Sequence, residues 1–281
     1  MKGLAIYICL LLLSYQTIAQ ITWFPDTDRQ REFYGGWGWN RASYTKSDIH
    51  FTGDQYDFTL HEVAAKDRQT AFKMDVYFGL KTVTIPQTNF RFGYFLNEHW
   101  AISAGVDHMK YVMTQHQTVA FSGEINDTSY QSIIDGNTIQ LEPHFLRFEH
   151  TDGLNYIHAE AEYYQGLAGI KHIKVNGYFG AGFGLMLPKS NVTLMHYDRH
   201  DDFHVSGYGL SAKAGLELLF WKHFFIRLDY KTGFINMPDI LTRNGDVSDR
   251  ASQHFFFAQR SGLFGFNVPI KKERAARAQK D

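Results

Sequence analysis

Gly207–Phe234 reads GYGLSAKAGLELLF, then WKH, then FFIRLDYKTGF, and its alternation decides the fold. On the first run Tyr208, Leu210, Ala212, Ala214, Leu216, Leu218 and Phe220 share one face. Gly207, Gly209, Ser211, Lys213, Gly215 and Glu217 take the other. After Trp221-Lys222-His223 the pattern resumes. Phe224, Ile226, Leu228, Tyr230, Thr232 and Phe234 oppose Phe225, Arg227, Asp229, Lys231 and Gly233. A period of two is the mark of a strand. Both runs reach the roughly 9–11 residues with which a tilted strand crosses a bilayer. One face is apolar and aromatic, the other glycine and charge, as lipid-facing and lumen-facing rows require. The three-residue turn sets the register. It keeps odd positions inward on both strands, placing Glu217 opposite Arg227 and Lys213 diagonal to Asp229.

The same alternation recurs on both sides of this hairpin. The expected strands are Glu32–Thr45, Thr88–Leu96, Trp100 to Met113, Gly153–Tyr164, His172–Leu187, the hairpin pair, and Gln253–Val268. Asn97-Glu98-His99 turns the chain as the hairpin does, with Leu96 facing Trp100 and Arg91 diagonal to Asp107. A bulge near Arg260 is expected to keep that charge off the lipid side. The connections alternate long and short. Lys46–Pro86, Thr114–Asp152, Pro188–Val205 and Met237–Ser252 are long and polar, and a strand-like piece surrounds Tyr56, Phe58 and Leu60. The reading is all-β: an eight-stranded antiparallel up-and-down transmembrane β-barrel with long extracellular loops. A soluble barrel with the apolar face inward fails on volume, because eight strands leave room only for small inward residues.

Composition agrees. Aromatics make up 16% of the chain and glycine numbers 24, while 28 basic residues balance 29 acidic ones, which excludes nucleic acid as a partner. Residues 1–19 read as a signal peptide, with Lys2 before the apolar run Leu4–Leu13 and a small-residue site at Ala19. Cys9 is the only cysteine and falls within it, so the exported chain carries no disulfide. Residues 20–31 form a periplasmic lead-in, 32–268 the barrel, and 269–281 a charged periplasmic tail. The signal, eight alternating strands and loop asymmetry resemble the small outer-membrane β-barrels of Gram-negative bacteria, of the outer-membrane protein A and W kinds. That resemblance implies location in the cell outer membrane as a monomer, with outer-membrane lipids and lipopolysaccharide as its surroundings. It implies no cofactor.

Function is written less clearly. Arg91, Asp107, His158, Glu160, Glu162, Lys174, Lys213, Glu217, Arg227, Asp229 and Lys231 share the inward face and should pair in a structural ion network. A catalytic carboxylate at Glu160 or Glu162, raised by the like charge beside it, is the sharper alternative. His196, Asp198 and His200 crowd one external loop with zinc-type donors, but without a defined ligand spacing. Glu149–Asn155 is similar to the His-x-Ser-Asn pattern of outer-membrane phospholipases and lipid A deacylases. In it His150 stands at the base and Asp152 at the serine position; His204-Val205-Ser206 repeats the spacing without the Asn. The expected role is structural or interactive, through the extracellular loops. The alternatives are a lipid acyl hydrolase at the outer rim, using His150, Asp152, His204 and Ser206, and a narrow channel for small apolar molecules. Trp37, Trp39, Trp100, Trp221, Tyr94, Tyr163 and Tyr208 read as interfacial girdle residues.

Overall fold

Phe220 and Phe224 face each other across Trp221-Lys222-His223, and the pairing runs without a slip through Glu217–Arg227 to Tyr208–Asn236. The turn's parity therefore holds, with Trp221 and Lys222 both at positive φ. The computed structural model describes residues 21–270, apart from positions 28, 80, 83, 84, 246 and 247. The signal at 1–19 and the tail from 271 lie outside the described residues.

The barrel strands, first to eighth, are Glu32–Tyr44, Thr88–Phe95, Trp100–Met113, Leu146–Ile170, Ile173–Met186, Gly207–Phe220, Phe224–Leu241 and Arg250–Pro269. Each pairs antiparallel with the next, and the eighth returns to the first from Phe257–Tyr44 to Pro269–Glu32. Closure leaves this ring without an open edge. Among the described residues no helix is long and apolar enough to cross a membrane. The strands make the crossing.

The inward rows change character along the strands. On the seventh, Arg227, Asp229 and Lys231 are followed at the same face by Ile235, Met237 and Ile240, all buried. On the third, Ser103 and Asp107 give way to Met109, Tyr111 and Met113. The outward row changes the opposite way. Phe183, Leu210 and Leu228 are more than half exposed low on the wall, whereas Asp48, Asp57 and Glu124 face out above. The cause is the solvent outside. Where lipid surrounds the wall, an apolar exterior suffices and the lumen is polar. Where water surrounds it, folding must bury the apolar row instead.

That upper part is an extension of the barrel built from the long connections. Ser47–Gly53, Tyr56–Val63 and Thr118–Ile125 form a sheet that pairs with the eighth strand, and Lys189–Leu194 pairs with the fourth. Its core gathers Phe51, Phe58, Phe121, Phe145 and Phe148 with Ile240 and Phe255. The strand expected around Tyr56, Phe58 and Leu60 is present. The polar stretches as a whole are more structured than their composition suggests.

Four expectations change. The fourth strand is not Gly153–Tyr164 but twenty-five residues, Leu146–Ile170. Register shifts between His150 and Leu154 and between Gly166 and Ala168 break its alternation and hide its length. The eighth strand is regular past Arg260, which needs no bulge and points outward, opposite Tyr230 and Arg41. Lys213 lies opposite Lys231 and diagonal to Asp229 as expected, but its ammonium reaches across the lumen to Glu160 and Glu162 instead. Lys174 stands at the short-turn rim and not in the lumen, its ammonium donating to the Asp26 carbonyl at 2.6 Å.

Candidate functional site

The lumen is filled by charge. Arg227 donates to Glu217 at 2.8 Å, and its guanidinium lies 4.1 Å from the Tyr34 and Phe225 ring centres. Arg29, from the lead-in, grips the same carboxylate at 2.9 and 3.0 Å and is itself buried. The lead-in is therefore anchored inside the lumen at its short-turn end. Above it Lys213 bridges Glu160 and Glu162, and Arg91 reaches Asp107 at 3.0 Å and Glu160 at 3.4 Å. Lys231 binds Asp107 and Glu160, while His158 sits between the same two carboxylates at 3.3 and 3.4 Å. Asp229 accepts from Tyr178 and Ser261. Arg29, Arg91, Lys213, Arg227 and Lys231 face Asp107, Glu160, Glu162, Glu217 and Asp229, and Glu32 is buried on the same inward row at the lumen's end. Buried charges of both signs lie side by side, as a dry lumen requires. Glu160 and Glu162 both lie against cations, an arrangement that serves pairing.

The residues singled out at the rim find separate partners. His150 is fully buried beside Tyr111 and Phe148, and its Nδ1 lies 3.0 Å from Ser190 Oγ. Burial pushes its imidazole down to about 3. Asp152 pairs with Lys189 at 3.5 Å. His204 Nε2 pairs with Asp239 at 2.8 Å, and the Ser206 hydroxyl donates to the His204 carbonyl at 3.4 Å. His196 turns to Asp127, and His200 to Asn244. Among the described residues no group of three His, Cys, Asp or Glu side chains is placed to hold a metal ion.

A different constellation stands on the outer face of the extension. His61 Nδ1 lies 3.0 Å from Asp48 Oδ2, and its Nε2 lies 2.8 Å from Ser122 Oγ. Asp48 Oδ1 accepts the Glu62 backbone N–H at 2.8 Å, which holds the carboxyl below its usual range together with the His61 contact. This is the order of contacts by which a carboxylate orients an imidazole toward a serine hydroxyl. Nothing local in the sequence signals it. The three residues come from three strands, and His61 and Ser122 are 61 positions apart. The outward rows Asp48-His50, Asp57-Thr59-His61 and Ala120-Ser122 show it only once the two long connections are paired with each other.

No protein-family model matches the chain, and no curated protein does. Among solved structures it is similar to the outer membrane protein OprG from Pseudomonas aeruginosa. Identity there is 8% and the TM-score 0.37, covering 86% of this chain and 98% of that one. Ail, the attachment invasion locus protein of Yersinia pestis, follows at 12% identity and a TM-score of 0.31, covering 85% and 99%. The outer membrane protein AlkL gives 11% and 0.39, covering 87% and 94%. At such scores none of these likenesses bears on role or on matched residues. On its own closed ring, outward apolar band and buried charged lumen, the chain is an outer-membrane β-barrel protein.

Proposed function

We propose that this barrel is shut and works from its outer surface, holding a rigid extracellular β extension as an interaction surface. The network of buried cations and carboxylates across the lumen carries the reading. Each side chain is tied to partners on other strands, so opening a path means breaking several buried ion pairs at once, at about 3–5 kcal/mol each. The extension has an apolar core of its own, which makes its outer face a fixed platform. The ring closes within one chain, and its apolar band contacts outer-membrane lipids directly, so a monomer suffices. Planar-bilayer recording tests the closure. The purified full chain should show no steady conductance, and a stable open channel would refute the reading.

The Asp48–His61–Ser122 geometry favours a second reading, an acyl hydrolase whose site is on the extension and not at His150. Ser122 Oγ would attack an accessible ester carbonyl while His61 takes its proton, then returns it to the leaving alcohol; water would release the acyl group. A fluorophosphonate probe should label Ser122 and spare the Ser122→Ala and His61→Ala variants. Absence of labelling on the folded wild type would leave these contacts as cross-strand hydrogen bonds.

A further inference from the structure

Arg260 stands on the outward, lipid-facing row of the eighth strand, between Phe256 above and Phe264 and Phe266 below. Directly opposite, across the seam with the first strand, is Arg41. Like charges facing each other across a strand pair destabilise it, and an arginine on the lipid face of a barrel costs more the deeper it lies. Neither arginine has a carboxylate within 4 Å among the described residues. Arg41 donates to the Asn40 carbonyl at 2.7 Å and to the Tyr77 hydroxyl at 2.9 Å, both neutral. Asp67 acts on Arg41 only at longer range, because it is engaged by the Ala42 N–H and the Gln87 amide. Arg260 therefore faces the membrane with no carboxylate in contact, and Arg41 beside it has only the longer-range field of Asp67.

The surroundings describe what would compensate it. Above Arg41 the outward row of the first strand continues as Ser43 and then Thr45, whose side chains bond Ala258 and Phe256 across the seam. A row of polar side chains thus runs down the apolar wall as far as the two arginines. Residues 72–78 lie beside it, against the outside of the barrel. Their short helix Met74–Tyr77 and the following Phe78 pack on Trp37 and Trp39, with ring centres 5.2–6.3 Å apart. The same segment leaves Phe72, Met74 and Phe78 exposed. An anion sitting on the arginines would have apolar side chains beside it. That is the amphiphilic pattern of a lipid, phosphate on one side and chains on the other.

We propose that Arg41 and Arg260 form a binding site for the phosphate of an outer-leaflet glycolipid headgroup. The polar row at Ser43 and Thr45 meets the headgroup, and Phe72, Met74 and Phe78 contact its acyl chains. The site is independent of the lumen and of the extension's outer face, so it stands or falls apart from the function proposed above.

Thermal unfolding of the full-length barrel in zwitterionic detergent tests it, followed by heat-dependent mobility while ligand is titrated in. The probes are diphosphoryl lipid A, the same lipid with its phosphates removed, and inorganic phosphate. Diphosphoryl lipid A should raise the midpoint, and the dephosphorylated lipid should not. Arg41→Gln with Arg260→Gln should weaken the lipid's apparent affinity at least tenfold, with Arg260→Lys intermediate. Both variants lie on the surface, and unchanged mobility without ligand checks their folding. An undiminished shift in the double variant would overturn the site. Equal stabilisation by inorganic phosphate would overturn the lipid and leave a simple anion site.

Discussion

Arg227 is held by an ion pair, two ring faces and complete burial, which makes it the residue on which the lumen's packing is most exposed to test. Removing it leaves Glu217 with only Arg29 and Asn176, and leaves Tyr34 and Phe225 lining a hole. Arg227→Ala should destabilise the barrel in detergent by about 3–5 kcal/mol. Lys222→Ala, at the exposed turn, should change it by about 0.5 kcal/mol or less. Equal shifts in the guanidinium midpoint would mean that water already screens the lumen. The Glu217–Arg227 and Arg91–Asp107 pairs were legible in the sequence because neighbouring strands and turn parity fix them. Lys213 was not. Its partners Glu160 and Glu162 lie on the fourth strand, beyond the fifth, and a flat pairing scheme does not show which side chains meet across a closed ring. Arg29 was missed for a related reason, since its segment is polar, short and without alternation.

Elements were readable where one solvent rule holds from end to end. The sixth strand spans Gly207–Phe220 in both sequence and structure because lipid borders its outward row throughout. The fourth crosses from lipid into water. Its inward row passes from Glu162, Glu160 and His158 to Tyr156, Leu154 and Phe148, so polarity inverts halfway. Two register shifts then break the alternation, and Gly153, at φ 137°, sits at the first of them. A reader following one pattern stops where the environment changes, which is why Leu146–Asp152 looked like loop. Segment 67–86 hid differently. Its described residues belong to neither wall nor extension, but pack outside the first and third strands, where Tyr77 and Phe78 meet Trp39 and Lys110 donates to Thr70 and Ile85.

At the scale of the molecule, two bodies with opposite interiors share continuous strands, and acid should separate them. The membrane ring is held by fixed ion pairs, whereas the extension buries a histidine away from any charge. His150 has uncharged neighbours in Tyr111, Phe148 and Ser190, and its imidazole is held at about 3, against an ordinary value near 6.5. Its folded-state value lies below its unfolded one. The unfolded chain therefore binds the extra proton between those two values, and stability is full above about 6.5 and declines as pH falls toward 3. Between pH 7.5 and 5 the loss should be about 2 kcal/mol, confined to strands that open with the extension. Hydrogen exchange, corrected for its intrinsic rate, should show Leu146–Asp152 and Lys189–Leu194 less protected at pH 5, with Gly207–Phe220 unchanged. His150→Asn should abolish the difference by removing the titrating group. A uniform loss across ring and extension would mean that the two bodies unfold as one and that His150 is not the acid-sensitive point.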